Sequence, residues 1–174
     1  MAKATIVCGT ADRDGVTSSM CLAAQEELEN RGFEVLLLRP SEMDIGHCMD
    51  CRRCSGGRCI IDDDMAAVYD AFSDSDIFII ATPIHFSGPS SIAKMVMDRF
   101  QPYWYDRTLP HPARCLALMC GGSKEPNFDI TEKVVRAFCL TTGMEYGGSL
   151  RIAGTDSFAE DIEKEVAAFV DQSM

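Results

Sequence analysis

The sequence predicts an α/β fold, in which short buried strands alternate with helices. Five apolar runs recur along the chain, and segments with helical periodicity separate them. Consecutive parallel strands need such crossover helices, and near-continuous apolar strands are typical of a sheet that is covered on both faces. We therefore expect one five-stranded parallel sheet with helices packed on both sides.

Each element can be placed from its pattern. The predicted strands are residues 4–8, 34–39, 77–82, 114–119 and 144–152. The predicted helices are 17–31, 65–72, 89–100 and 129–141, and a last one, after residue 157, carries Ile162, Val166, Phe169 and Val170 on one face. Gly32 ends the first predicted helix and Gly143 ends the helix 129–141. The acidic run 62–64 suits the start of the helix at residue 65. Ser157 and Glu160 have the spacing of a capping box for the last helix.

Length and charge narrow the protein class. The 174 residues suit one domain, 1–174, with a cysteine-rich insertion at about 46–60. The net charge of −11 leaves no basic face for nucleic acid. No apolar run approaches the roughly 20 residues that span a bilayer, and the first residues lack the pattern of a signal peptide. We expect a cytoplasmic protein that binds neither nucleic acid nor membrane.

Four of the nine cysteines lie within twelve residues, at Cys48, Cys51, Cys54 and Cys59. Thiolates this close can bind one inorganic centre, and cysteines with two residues between them are typical of loops around an iron–sulfur cluster. Four thiolates also suit Zn²⁺, although zinc sites more often use two separated pairs, and metal-free redox-active thiols are a third alternative. The scattered cysteines other than Cys120 are expected to be buried hydrophobic residues.

A loop of small and hydroxylated residues, 9–18, follows the first strand and leads into a helix. Backbone N–H groups, hydroxyls and the helix N-terminus together favour phosphate binding. The loop matches neither the G-x-G-x-x-G fingerprint nor the G-x-x-x-x-G-K-[ST] loop, which argues against a dinucleotide site and an ATPase P-loop.

Two further loops, residues 82–89 and 120–123, follow the third and fourth strands. The carboxyl ends of parallel strands meet at one edge of a sheet, so these loops should border the phosphate loop. They offer apolar surface and backbone N–H groups. A flat, phosphorylated cofactor would fit this edge.

In these motifs and their order the chain resembles the flavodoxin-like NAD(P)H-dependent FMN reductase family, and within it the iron–sulfur flavoproteins. The matching features are the loop 9–18, the cysteine run followed by Asp63-Asp64-Met65, the segment 82–85, and Lys94-x-x-x-Asp98-Arg99. The resemblance covers nearly the whole chain. It implies a flavodoxin-like three-layer sandwich whose five strands have the order 2-1-3-4-5.

The resemblance also implies the site residues. The FMN phosphate would lie against Thr10, Arg13, Gly15, Val16, Thr17 and Ser18. The isoalloxazine would lie against Thr82, Pro83, Ile84, His85, Phe86, Cys120, Gly121 and Gly122. A [4Fe-4S] cluster would be bound by Cys48, Cys51, Cys54 and Cys59. No side chain is expected to act as a catalytic nucleophile or general acid.

The implied activity is that of an FMN-dependent electron-transfer oxidoreductase, passing electrons between ferredoxin or NAD(P)H and a small acceptor, in a homodimer or homotetramer. Two alternatives stay open: a cluster-free NAD(P)H-dependent FMN or quinone reductase, and a metal-binding or redox-sensing module without flavin. The chain departs from the family pattern in three residues. His85 stands where Tyr is usual, and Asp12 and Asp14 leave Arg13 as the only cation of the phosphate loop.

Overall fold

The computed structural model describes residues 1–157 and 161–174, and six strands of these residues form one sheet. The strands are β1 (Lys3–Cys8), β2 (Glu34–Leu38), β3 (Ile77–His85), β4 (Gly88–Pro89), β5 (Arg114–Gly121) and β6 (Glu145–Ala153). Five of them are parallel in the order β2-β1-β3-β5-β6, and β4 pairs antiparallel with the end of β3. The predicted order of the five parallel strands is confirmed.

The helices are α1 (Val16–Asn30), α2 (Met65–Ser73), α3 (Ser91–Arg99), α4 (Pro102–Tyr105), α5 (Asp129–Thr142) and α6 (Ile162–Ser173). Gly32 and Gly143 follow α1 and α5 with φ of 83° and 87°, the left-handed conformation in which glycine ends helices. Asp161 caps α6 by accepting a hydrogen bond from the Lys164 N–H. The predicted capping box extends over 158–160, outside the described residues. None of the helices described is long and apolar enough to cross a membrane.

Two apolar layers cover the sheet. Helices α1 and α6 bury side chains such as Met20, Leu28 and Val166 against one face. Helices α2 to α5 cover the other face, where Phe72, Phe78, Phe100 and Phe138 pack with ring centroids 4.7–6.4 Å apart. Successive β-strand residues alternate between the two layers, as the pleat requires. The predicted flavodoxin-like three-layer arrangement is confirmed.

The scattered cysteines lie in these layers. Cys8, Cys21, Cys115 and Cys139 are all buried, as predicted, and Cys120 is buried as well, with 4% of its surface exposed. The first four pack as small apolar side chains and lie outside the cysteine-rich loop.

Strand β3 is longer than predicted and carries part of the candidate site. Residues 83–85 continue the strand, and two of them pair with β4 in a short hairpin. The predicted helix start at residue 89 is wrong, because Pro89 belongs to β4 and Ser90 caps α3 by accepting from the Ala93 N–H. The Ser90 hydroxyl donates to the Gly9 carbonyl at 2.5 Å. The start of α3 is thereby joined to the loop after β1.

The cysteine-rich segment is a loop with a closed neck. Residues 43–64 contain neither helix nor strand. The Asp44 N–H donates to the Asp64 carboxylate at 2.7 Å, and the Asp64 N–H donates back to the Asp44 carbonyl at 2.9 Å. The Gly46 N–H donates to the Asp63 carboxylate at 2.9 Å. These three hydrogen bonds, called the neck below, hold the two ends of the loop together.

Candidate functional site

A cleft of about 940 Å³ opens at the carboxyl ends of β1, β3 and β5. Eleven of the fourteen residues predicted to contact a flavin line it: Thr10, Gly15, Val16, Thr17, Pro83, Ile84, His85, Phe86, Cys120, Gly121 and Gly122. The volume lies at the upper end of the range for cofactor pockets. Three loops far apart in sequence therefore build one cavity at the predicted edge of the sheet.

Three predicted residues lie outside the cleft lining. Arg13 is largely exposed and forms an ion pair with Glu42 at 2.6 Å. Ser18 is buried and donates to the Asp12 carbonyl at 2.5 Å. Thr82 is also buried, and its hydroxyl accepts from the Ser90 N–H at 2.9 Å. Ser18 and Thr82 thus shape the loops that bear the cleft.

The N-terminus of α1 forms one end of the cleft. Gly15 is its N-cap residue and offers no side chain as hydrogen-bond acceptor, and the first turn contains no acidic residue. A helix start without a side-chain cap leaves its first N–H groups free for an anion. The residues present therefore fit a phosphate group at this end.

Asp12 stands close to that helix end. Its carboxylate accepts from the Asp14 N–H at 3.1 Å. A Cβ atom added to Gly15 would lie only 2.5 Å from Asp12 Oδ2. The carboxylate therefore lies against the start of α1, next to the position expected for a phosphate. The nearest arginine behind the loop, Arg39, donates to the Ser18 hydroxyl at 3.2 Å.

The β3–β4 hairpin forms the opposite wall. Phe86 and Ser87 both have positive φ, 51° and 65°, which is the requirement of a type I′ hairpin turn. Residues with a side chain adopt this conformation at some energetic cost. The Thr131 hydroxyl of α5 donates to the Ser87 carbonyl at 3.1 Å and attaches the hairpin to the helix. Phe86 is fully exposed at the rim of the cleft.

Sequence reasoning missed the part of the wall that lies after β6. Asp156 donates its N–H to the Gly122 carbonyl at 3.3 Å, and its carboxylate fills the space that a Cβ of Gly122 would need. A Cβ on Gly121 would lie 2.5 Å from Pro126 Cβ. The two glycines were visible in the sequence, but their spacing does not reveal which distant residues approach them.

The electrostatic character of the cleft is acidic. Asp12, Glu125 and Asp156 line it, and no lysine or arginine does so in the described part of the chain. His85 is the only lining residue there that can carry a positive side-chain charge. An anionic ligand in the cleft must therefore rely on backbone N–H groups and helix α1.

The four clustered cysteines share a second, small cavity. Cys48, Cys51, Cys54 and Cys59 all line a space of about 20 Å³. Burial raises the pKa of Cys54 to about 11, and the three neighbouring thiol groups add to the shift. Across residues 1–157 and 161–174, no three His, Cys, Asp or Glu side chains converge as they would on a single metal ion. The loop nevertheless brings all four predicted ligands around one cavity.

A buried ion pair lies beside this cavity. Arg99, at the end of α3, lines the cavity and is 1% exposed. Its Nη1 and Nη2 atoms donate to the two oxygens of Asp63 at 2.6 and 2.9 Å, and Nη1 also donates to the Gly46 carbonyl at 2.7 Å. The acidic run 62–64 is therefore more than a helix start. Nothing in the helical pattern marks Asp63 as the partner of a residue 36 positions later.

The Arg99 guanidinium keeps one donor unused. Its Nε atom is buried and has no hydrogen-bond partner among the described residues. Burial lowers the pKa of Arg99, but the Asp63 carboxylate and the Cys59 sulfur together raise it above its usual range. The side chain therefore stays charged beside the cysteine cavity.

The two sites stand at opposite ends of one helix. Ser90, at the start of α3, is bonded to the loop after β1, and Arg99, at its end, lines the cysteine cavity. The nine residues of α3 span about 14 Å at about 1.5 Å per residue. Helix α3 thus links the loop after β1, which borders the cleft, to the cysteine cavity.

Comparison with known proteins agrees with this geometry. Residues 2–152 match the model of the NADPH-dependent FMN reductase family. An iron-sulfur flavoprotein from Archaeoglobus fulgidus is 35% identical over 108 residues, covering 62% of this chain and 49% of that protein. Iron-sulfur flavoprotein MJ1083 from Methanocaldococcus jannaschii is 27% identical over 97 residues, covering 55% and 50% respectively. The chain matches about half the length of these relatives.

A solved structure shares the fold. The NAD(P)H:quinone oxidoreductase from Methanothermobacter marburgensis superimposes with a TM-score of 0.78 at 12% identity, covering 99% of this chain and 97% of that one. The similarity is one of architecture, and the family match extends over most of the sequence. The chain belongs to the NADPH-dependent FMN reductase family of flavin-dependent oxidoreductases.

Proposed function

We propose that this chain is an FMN-dependent electron-transfer oxidoreductase in which the flavin exchanges electrons with a [4Fe-4S] cluster. The observation that carries the proposal is the presence, in one chain, of a flavin-sized cleft and of a cavity lined by four cysteines, with α3 linking the loop after β1 to that cavity. The relatives that bear the name iron-sulfur flavoprotein support the same pairing.

The cleft residues would hold FMN by backbone groups more than by charge. The first N–H groups of α1 would bind the phosphate, aided by the hydroxyls of Thr10 and Thr17. Gly121 and Gly122 would let the chain approach the ring closely, because they carry no side chain. When bound, FMN supplies both two-electron chemistry with a nicotinamide and one-electron chemistry with a cluster.

The cysteine cavity fits a cluster through its donor set. A [4Fe-4S] cluster takes one thiolate per iron, which the four cysteines supply. The unused Nε–H of Arg99 offers a donor to an anionic group in the cavity. A Cys₄ zinc site would need all four sulfurs around a single ion, and the described residues do not converge in that way.

The electron partners follow from the resemblance and belong to the proposal. Reduced ferredoxin or NAD(P)H would supply electrons, and a small molecule would accept them. A homodimer or homotetramer in the cytoplasm is the corresponding assembly and location.

Cofactor content on one anaerobic preparation tests the proposal. After reconstitution we expect bound FMN. We also expect iron and sulfide in equal amounts, about four iron and four sulfide per chain. Cys51→Ser should lose iron and sulfide while keeping FMN. The control is Cys139→Ala, which removes a buried thiol on α5 and should keep both cofactors.

The alternatives give different results. FMN without iron or sulfide would leave a cluster-free FMN or quinone reductase, with steady NAD(P)H oxidation unchanged in Cys51→Ser. Metal without any FMN affinity would leave a redox-sensing or metal-binding module.

A further inference from the structure

We propose that Arg99 tunes the cysteine-bound centre: its buried guanidinium directs a fixed positive charge and the Nε–H donor toward the cluster and thereby raises its reduction potential. The inference rests on the cluster part of the proposed function. It assigns a role to a residue outside the four ligands.

The Arg99 side chain is held in a fixed position. Asp63 binds both Nη atoms, and the Gly46 carbonyl accepts a further hydrogen bond from Nη1. Both members of the pair are almost fully buried, with side-chain exposures of 1% and 6%. Because these hydrogen bonds hold both Nη atoms, the guanidinium cannot rotate into solvent. The charge is therefore a permanent part of the cavity wall.

One donor of Arg99 is unused. Buried N–H groups almost always have an acceptor, so an orphaned one calls for an explanation. Nε is such a group in the described residues, and Arg99 reaches the cavity while Asp63 does not. A sulfur of a cluster bound there would supply the missing acceptor.

The sign of the effect follows from charge. A [4Fe-4S] cluster with four thiolates is an anion, and reduction by one electron adds another negative charge. A nearby cation stabilises the reduced state more than the oxidised one, so the potential rises. Low local dielectric strengthens the interaction, because water is excluded from the pair.

A purely structural role makes a different prediction. The ion pair also helps to close the neck, through Gly46 and Asp63. If that were its whole contribution, its loss would lower cluster content or stability and leave the potential of the remaining clusters unchanged. The reduction potential therefore separates the two roles.

The test compares wild type, Arg99→Gln and Arg99→Lys after anaerobic reconstitution. Iron and sulfide content are measured first, and the cluster potential follows from a redox titration monitored by electron paramagnetic resonance. In Arg99→Gln we expect the oxidised-to-reduced ratio at the wild-type midpoint to rise at least about tenfold, equivalent to about 59 mV for one electron. Arg99→Lys, which keeps the charge and loses Nε, should shift less.

Two further variants make the result interpretable. Arg53→Gln removes an exposed arginine of the same loop that does not line the cavity, and should leave the ratio within about twofold, since exposed charges are screened. Asp63→Asn combined with Arg99→Gln removes the pair without stranding a buried charge. It should fold if Arg99→Gln does not. The reduction potential of the double variant should also fall, because Arg99 is the member of the pair that lines the cavity. The fall should be smaller than in Arg99→Gln alone.

Each outcome either supports or overturns the role of Arg99. Loaded clusters with an unchanged potential in Arg99→Gln, or in the double variant, overturn this inference and leave the proposed function intact. A wild-type protein that takes up neither iron nor sulfide overturns both. A lowered potential at full iron and sulfide content supports the role of Arg99.

Discussion

Asp12 places a negative charge where the start of α1 would otherwise receive a phosphate. The carboxylate is held there by the Asp14 N–H and lies against Gly15. Negative charge near a helix N-terminus is favourable for the free protein, because it complements the helix dipole. The same charge competes with a phosphate dianion for that position.

Replacing Asp12 with Asn should therefore tighten FMN binding. We expect an affinity gain of roughly three- to tenfold, since two charges a few ångströms apart near water interact by about 1 kcal/mol. Riboflavin, which lacks the phosphate, should bind wild type and variant alike. Titration by quenching of flavin fluorescence measures both affinities.

Two comparisons control that experiment: a second variant of the same loop, and riboflavin beside FMN. Asp14→Asn changes an exposed carboxylate of the same loop and should have the smaller effect. An equal gain for FMN and riboflavin would mean that Asp12 acts on the shape of the cleft instead of on the phosphate.

Individual residues also mark the limit of sequence reasoning. The glycines and hydroxyl residues of the cleft were predictable, because loops after parallel strands meet at one edge. Asp156 and the Asp63–Arg99 pair were not. Their partners are distant in sequence and joined by tertiary packing, which neither periodicity nor local motif spacing encodes.

Among the secondary-structure elements, α5 and β6 are joined by a network around Glu132. Its carboxylate accepts from Arg136 Nη2 at 2.7 Å and from the Ser149 hydroxyl at 3.1 Å, and it forms an ion pair with Arg151 of β6. Burial alone would raise the pKa of Glu132, but these donors outweigh it and lower the pKa from 4.5 to about 2. The network thus fastens the edge strand to the helix beside it.

Glu132→Gln should destabilise the protein by roughly 1.5–3 kcal/mol at pH 7, the range for hydrogen bonds to a charged group. A carboxyl whose pKa is lowered on folding contributes stability above its unfolded pKa and loses it as pH falls through the folded value. The difference between wild type and variant should therefore shrink as the pH falls from 4.5 toward about 2. Urea unfolding at several pH values measures it.

The exposed Glu26 of α1 supplies the comparison for this experiment. Glu26→Gln should change the unfolding free energy by less than about 0.5 kcal/mol, as is usual for surface positions. A pH-independent loss in Glu132→Gln would show that shape, and not charge, holds α5 against β6.

Element prediction succeeded where buried apolar runs decide the structure. All five parallel strands follow from such runs, and the helix ends at Gly32 and Gly143 follow from the preference of glycine for positive φ. The β3–β4 hairpin did not, because its turn uses Phe86 and Ser87 at positive φ instead of the Gly or Asn that usually signal such a turn. A turn that violates local preference is visible only in three dimensions.

On the scale of the whole molecule, the negative charge of the protein should repel an anionic electron donor such as NAD(P)H. The net charge is −11, and the carboxylates of Asp12, Glu125 and Asp156 line the cleft. A nicotinamide dinucleotide is itself an anion. If it is the electron donor, as proposed, its approach should be slowed by long-range repulsion, which salt screens.

The KM for NADPH should accordingly fall as salt is added. Between about 10 and 100 mM salt the Debye length shortens from roughly 30 to 10 Å, and we expect a several-fold decrease in KM. Steady-state NADPH oxidation with an uncharged acceptor in excess measures the effect. Glu125→Gln should weaken the salt dependence, whereas a KM that rises with salt would contradict the electrostatic picture.

The neck of the cysteine loop has a consequence for the order of assembly. Its hydrogen bonds run between Asp44, Gly46, Asp63 and Asp64, and none of them involves a cysteine. The neck is therefore made of protein contacts alone and does not depend on iron. For the proposed cluster, insertion should therefore be possible after folding, and loss of the cluster should leave the sheet and the cleft intact.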